Sequence, residues 1–299
     1  MEREQAERIA REHVDVAGPL DLEKDRPWAT TWRVPVRDGR SVWFKACGDV
    51  QRFEPQLTAA LGTRWPDVVA PVIAHEPQAW IMLEDAGTPF GVYANQVEAW
   101  HALLPKYAQL QRGETAHAEE HRATGVPDMR FEVLPERYDD LVSRDLPLEH
   151  EELDRLRALA PRFAERCAEL ATAGVPYSIQ HDDLHMGNVF DDGTTLRVLD
   201  WGDASVAHPF FSLVVTFQFL EDVSHLAPDD PWFERLRAAY LEPWGPGLDD
   251  VLDLALRVGS VAYTIAWARQ WDHLPDEERR EFAENWGHNI RRGLAQIER

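Results

Sequence analysis

The residues of this 299-residue chain best suited to chemistry lie in one short stretch, residues 177–188, which reads YSIQHDDLHMGN. It holds two imidazoles (His181, His185), two carboxylates (Asp182, Asp183) and an amide (Asn188) within eight positions. Downstream, apolar Val198-Leu199 leads into Asp200-Trp201-Gly202-Asp203. A strand that ends in Asp, with Gly close behind, presents a carboxylate rigidly. Asn188 and Asp200 are hard oxygen donors of the kind Mg²⁺ takes. Asp183 precedes Asn188 by five residues, so in a tight loop its carboxylate can meet a substrate hydroxyl while the amide meets the metal. A solvated polar turn is the bland alternative. The flanking apolar runs and the downstream Asp200 speak against it.

These residues need elements to position them. Residues 1–14 predict an amphipathic helix. Two β-like runs follow, residues 28–36 (WATTWRVPV) and 41–47 (SVWFKAC), joined by Arg37-Asp38-Gly39-Arg40, whose Asp-Gly has hairpin chemistry. A helical stretch at 53–61 comes next. Strand-like runs at 72–75 and 79–83 follow, split by Glu76-Pro77-Gln78. The first ~85 residues therefore predict an antiparallel sheet with one inserted helix. Residues 84–89 form a linker. Beyond them apolar residues recur at helical spacing, predicting helices at 92–111, 149–173, 210–220, 232–241, 248–271 and 276–297. Residues 177–206 interrupt this pattern with loop residues and short β runs.

Composition narrows the class. The chain is 44% hydrophobic and 28% charged, ordinary for a globular protein. No run approaches 18 consecutive apolar residues, so no membrane span is expected. The charged start MEREQAERIAREHVDV lacks the apolar stretch of a secretory signal. The two cysteines, Cys47 and Cys167, form no CxxC pair and suit a reducing cytoplasm. A net charge of −22 argues against a nucleic-acid partner, which needs a positive surface. It suits a cationic substrate, although general acidity also serves solubility.

The segments HDDLHMGNVF and LRVLDWGD resemble the catalytic segment of the aminoglycoside phosphotransferase and choline kinase-like superfamily, which typically reads HGDLHPGN, then an apolar strand, then Asp-Trp or Asp-Phe. The resemblance runs from about residue 15 to the C-terminus. It implies an α+β, two-lobed protein-kinase-like fold. Residues 1–84 would form a small antiparallel β lobe with one helix, binding nucleotide. Residues 85–299 would form a larger, mainly helical lobe with the catalytic loop and the acceptor site. It implies that Asp183 orients or deprotonates the acceptor hydroxyl, that His181 braces the loop, and that Asn188 and Asp200 hold Mg²⁺ on the phosphates of ATP or GTP. Lys45 becomes the α/β-phosphate lysine and Glu54 its helix partner. The run Trp80–Gly87, including Met82 and Glu84, becomes the hinge whose backbone meets the nucleotide base. The acceptor would be a small hydroxylated molecule, cationic or neutral: an aminoglycoside, another amino sugar, choline or a nucleoside-like alcohol all remain open. Monomer and dimer are equally compatible.

Each assignment has a plainer counterpart. Lys45, an alternating strand position among apolar residues, can be an edge-strand lysine that discourages aggregation. Glu54 can be a solvated carboxylate at a helix start beside Pro55. The hinge side chains can be plain core. On the C-terminal helices, Trp267, Trp271 and Trp286 with Asp272, Glu277, Glu278 and Glu284 would suit a cation through aromatic faces and carboxylates, but Trp267 and Trp271 can equally be core and the acids a solvated face. His181-Asp182 also matches the dipeptide of metal-dependent phosphohydrolases, and His181, Asp183 and His185 fit part of a di-zinc hydrolase site. A degenerate kinase-like binding module is the non-enzyme alternative. Two departures from the family pattern stand out. The hairpin expected at residues 22–31 (LEKDRPWATT) has no glycine, so phosphates need other donors, such as the backbone groups of Thr30 or Thr31. The family's Pro-x-x-Asp-Leu becomes Pro209-Phe210-Phe211-Ser212-Leu213, so the loop must be braced differently.

Overall fold

The computed structural model describes residues 1–92 and 96–298. In chain order it begins with α1 (Arg3–His13), β1 (Asp21–Arg26), β2 (Ala29–Pro35), β3 (Ser41–Cys47), α2 (Glu54–Arg64), β4 (Val72–Glu76), β5 (Trp80–Glu84) and β6 (Thr88–Pro89). There follow α3 (Val97–Glu114), α4 (Ala118–Ala123), α5 (Leu134–Val142), α6 (His150–Ala158), α7 (Ala160–Ala171), β7 (Ser178–Gln180), β8 (Val189–Asp191), β9 (Leu196–Val198) and β10 (Ser205–Ala207). The chain ends with α8 (Leu213–Asp222), α9 (Pro231–Leu241), α10 (Asp249–Trp271) and α11 (Asp276–Glu298).

Two compact units result. The first comprises Met1–Ala94, Ala123–Val126 and Met186–Asp203. Its antiparallel sheet has the order β1-β2-β3-β5-β4. Alternation sorts the side chains of β3: Val42, Phe44 and Ala46 face a core with Trp32, Val34, Trp80, Met82 and the Ala6/Ala10 stripe of α1. Trp43, Lys45 and Cys47 take the other face. A second small sheet, β6-β8-β9, belongs to the same unit. Its attachment is why the division differs from a cut after residue 84: Thr88 and Pro89 pair with Asp191 and Phe190, and Val198 donates its N–H to Val68. Gly87, at φ +94°, is required here, because a Cβ would collide with the Asp191 backbone.

The second unit comprises Asn95–Arg122, Pro127–His185 and Ala204–Arg299. It is helical apart from the two-stranded β7-β10 pair. The predicted helix at 92–111 corresponds to α3, which starts at Val97; residues 93–95 of that expectation lie outside the described residues. The predicted 149–173 helix is two helices, because Pro161 cannot continue the ladder and Leu159 turns the chain. The 210–220 helix begins as a 3₁₀ turn over Pro209–Ser212. At 23 residues α10 is long and apolar enough to cross a bilayer, yet Leu252, Ala255, Val258, Val261 and Ile265 are buried within the unit.

Candidate active site

In the first unit, Lys45 lies on β3, which is flanked by β2 and β5. It is not an edge-strand lysine. Its ammonium sits 2.6 Å from Glu54 Oε2 and 2.5 Å from Asp200 Oδ1. Glu54 opens α2 and is 3% exposed, so it is no solvated helix-start acid. Burial works against the charge on Lys45, but the Asp200 and Glu54 carboxylates outweigh it and hold the lysine well above its ordinary value. Burial, with Asp200 adding to it, raises Glu54 against the pull of Lys45. The cluster is thus one cation shared by a buried acid, Glu54, and a partly exposed one, Asp200.

Asp200 adopts a left-handed backbone (φ 61°), one of four non-glycine residues to do so among the described residues. The strain is held by its neighbours. Leu199 donates to the Asn188 carbonyl at 2.9 Å, and buried Trp201 donates its ring N–H to Val198 O at 3.2 Å. Gly202 lies where any Cβ would strike the buried Gln51 side chain. Lys45, Glu54, Asn188 and Asp200 line one cavity of about 320 Å³, together with Glu23, Lys24, Thr31, Trp43, Leu83 and Leu199. The Asp200 carboxylate and the Asn188 amide are hard oxygen donors, residues that could hold Mg²⁺.

The other half of the signature, residues 181–185, lies in the second unit. His181 is fully buried. Its Nδ1 accepts the Asp183 N–H at 3.3 Å. Asp183 Oδ2 lies 3.3 Å from His185 Nε2, and the His185 ring stacks on Phe219 at 4.4 Å and 6°. Asp182 has φ 61°, which explains why the resembling pattern has glycine at this position. Its N–H meets Gln180 Oε1 and its carboxylate accepts the Ser205 hydroxyl at 2.8 Å. Burial pushes Asp182 up to about 6.

Ser212, where the family pattern has an acid, sits in a neutral network. It meets the Tyr107 hydroxyl at 2.8 Å and accepts from Gln111 Nε2 at 3.2 Å. The His181 N–H donates to Tyr107 Oη at 3.1 Å and to Ser212 Oγ at 3.3 Å. Gln111 also donates to Ile179 O and Pro209 O and accepts from Tyr240. Thr216 fixes the Leu184 carbonyl at 2.7 Å. Tyr107 and Gln111 come from α3, some seventy residues upstream. They carry no local sequence signal of this role.

The Met82 side chain is in the core on the sheet's far face, and Glu84 pairs with Arg40 at 2.8 Å; neither lines the cavity, whereas Leu83 between them does. Trp271 packs on buried Trp286 at 4.4 Å and Trp267 on Phe282 at 5.9 Å, while Asp272 pairs with Arg144. The core reading of these tryptophans fits this packing. Among the described residues no three His, Cys, Asp or Glu side chains converge to hold a metal ion, as a His/Asp zinc site needs.

The model of the phosphotransferase enzyme family (APH) matches residues 2–254. The chain belongs to this family. Among solved structures, this phosphotransferase is similar to macrolide 2'-phosphotransferase MphH from Brachybacterium faecium, at 16% identity and TM-score 0.61, covering 98% of this chain and 96% of that one. It is also similar to choline kinase LicA from Streptococcus pneumoniae, at 14% identity and TM-score 0.67, covering 97% and 99%. A third is APH(2")-IIia in complex with GDP and kanamycin, at 14% identity and TM-score 0.59, covering 99% and 97%. The phosphotransferase thus has the protein-kinase-like fold. A comparison with curated protein sequences finds no match.

Proposed function

We propose that this phosphotransferase moves the γ-phosphoryl group of ATP or GTP to a hydroxyl of a small cationic molecule, an amino sugar or amino-alcohol. One observation carries the reading. Lys45, Glu54, Asn188 and Asp200, distant in sequence, line a single cavity, with the lysine ammonium held between the two acids. Lys45 neutralises phosphate charge, and Glu54 keeps its ammonium aimed at the cavity. Asp200 and Asn188 would hold Mg²⁺, which supplies further neutralisation of the polyphosphate. The base lies along β5, where Leu83 lines the cavity beside Trp43.

Asp183 takes the acceptor. It is five residues before Asn188 in the chain, and its N–H and carboxylate are oriented by His181 and His185. It accepts the hydroxyl proton and aims the oxygen; little more is asked of the protein in a loose transition state. The excess of 53 acids over 31 lysines and arginines supports a cationic acceptor. The kinship with structures named for macrolide, choline and kanamycin partners supports a hydroxylated one.

The test is a labelled-phosphate transfer screen over hydroxylated amines and antibiotics with Mg-ATP and Mg-GTP. The Asp183→Asn variant should bind nucleotide like the wild type and lose most turnover, about a hundredfold or more. Wild-type rates in that variant would sink the assignment. Nucleotide binding without transfer to any acceptor would favour the binding-module alternative.

A further inference from the structure

The β1-β2 hairpin offers phosphates no glycine-rich cradle. Residues 20–31 contain no glycine, and only Pro27 and Trp28 separate the two strands. Pro27 has no N–H. Arg26 and Asp25 are already paired with Ala29 and Thr30, and Thr30 Oγ1 bonds Asp25. Backbone amides in this turn are therefore not gathered into an anion nest.

The hairpin instead presents side chains. The pairing register shifts between Leu22 and Lys24, which leaves Glu23 as the extra residue. Beyond the shift Lys24 pairs with Thr31, and Thr31 pairs with Lys45. Side chains directly opposite on neighbouring strands share a face. Lys24, Thr31 and Lys45 thus form one row across three strands, and all three line the same cavity. Two strand spacings separate the lysine backbones by about 10 Å, and two long side chains can converge from there on one polyphosphate. Without the shift Lys24 would turn to the opposite face. Among the described residues Lys24 makes no ion pair, whereas Lys45 is held by two acids. Glu23 also lines the cavity, so the hairpin brings one cation and one anion to it.

We infer that Lys24 is a phosphate-binding residue that takes over, as a side-chain cation assisted by the Thr31 hydroxyl, what a glycine-rich loop does with backbone amides. The inference rests on the nucleotide-site reading above and adds the residue that grips the polyphosphate from the hairpin side.

Calorimetric titration of wild type, Lys24→Met and Lys24→Arg with Mg-ATP, Mg-GTP and the parent nucleosides tests it. Removing one charge-assisted phosphate contact should weaken triphosphate binding about ten- to a hundredfold. Nucleoside binding should not change, and Lys24→Arg should keep most of the affinity. Lys24 is exposed, so the variants should fold, which their unfolding midpoints will check. Wild-type triphosphate affinity in Lys24→Met overturns the inference. So does an equal loss for nucleoside and triphosphate, which would mark a distorted hairpin. A wild type that binds no nucleotide overturns the nucleotide-site reading itself, and this inference with it.

Discussion

Replacing Asp182 by asparagine should stabilise the protein at pH 8 and leave it unchanged at pH 4. Asp182 is 6% exposed, and burial raises its pKa from 3.8 to about 6. The native state therefore holds a proton between those values that the unfolded chain has already released. The stability this group contributes is fully present below about 4 and is lost as pH rises through 6. Raising a carboxyl from 3.8 to about 6 corresponds to about 3 kcal/mol. Asparagine removes the charge, still accepts the Ser205 hydroxyl and tolerates the left-handed backbone. Thermal unfolding followed by tryptophan fluorescence should show a midpoint about 5 °C higher at pH 8 and no difference at pH 4. Asp182→Gly separates the two costs at this position. It should show the same pH-dependent gain plus a pH-independent change from relief of the backbone strain. An asparagine effect of equal size at both pH values, or a loss at pH 8, would refute the argument that a buried charge is what costs stability here.

Two further outcomes follow from the buried polar clusters. Lys45→Met should cost about 3 kcal/mol in urea unfolding, because it leaves the buried Glu54 carboxylate without its cation, and adding Glu54→Gln should restore much of the loss. Tyr107→Phe should cost about 1–2 kcal/mol by removing a buried hydroxyl that accepts the His181 N–H, while nucleotide affinity measured by titration stays unchanged.

The sequence made the signature legible because its residues are dense and locally spaced: a His-x-Asp turn, an amide and a strand ending in Asp-Trp-Gly can be read without knowing the fold. Strands β2, β3 and β5 announced themselves through apolar alternation. Strand β1 did not, since DLEKDR is exposed along its whole length and pairs on one side only; its hairpin at residues 22–31 is expected from the family resemblance alone. Helix α5 escaped for a different reason. It is short, and its apolar residues become a face only when Tyr138 and Leu141 are packed. Ser212 looked like a loss because a charged brace leaves a one-letter mark, whereas a network spread over Tyr107, Gln111, Gln180 and Tyr240 leaves none. Lys24 likewise gained meaning only from a register shift, which no periodicity records.

That network also divides the protein's response to salt. Burial raises the phenols of Tyr107 and Tyr240, so they stay protonated through the neutral range. Serine and glutamine carry no charge to screen. The anchorage of the His181 loop should therefore be indifferent to ionic strength. The proposed binding of nucleotide through Lys24 and Lys45 is electrostatic and should weaken as salt rises. Added potassium chloride would then loosen the grip on nucleotide while leaving the His181 loop in place.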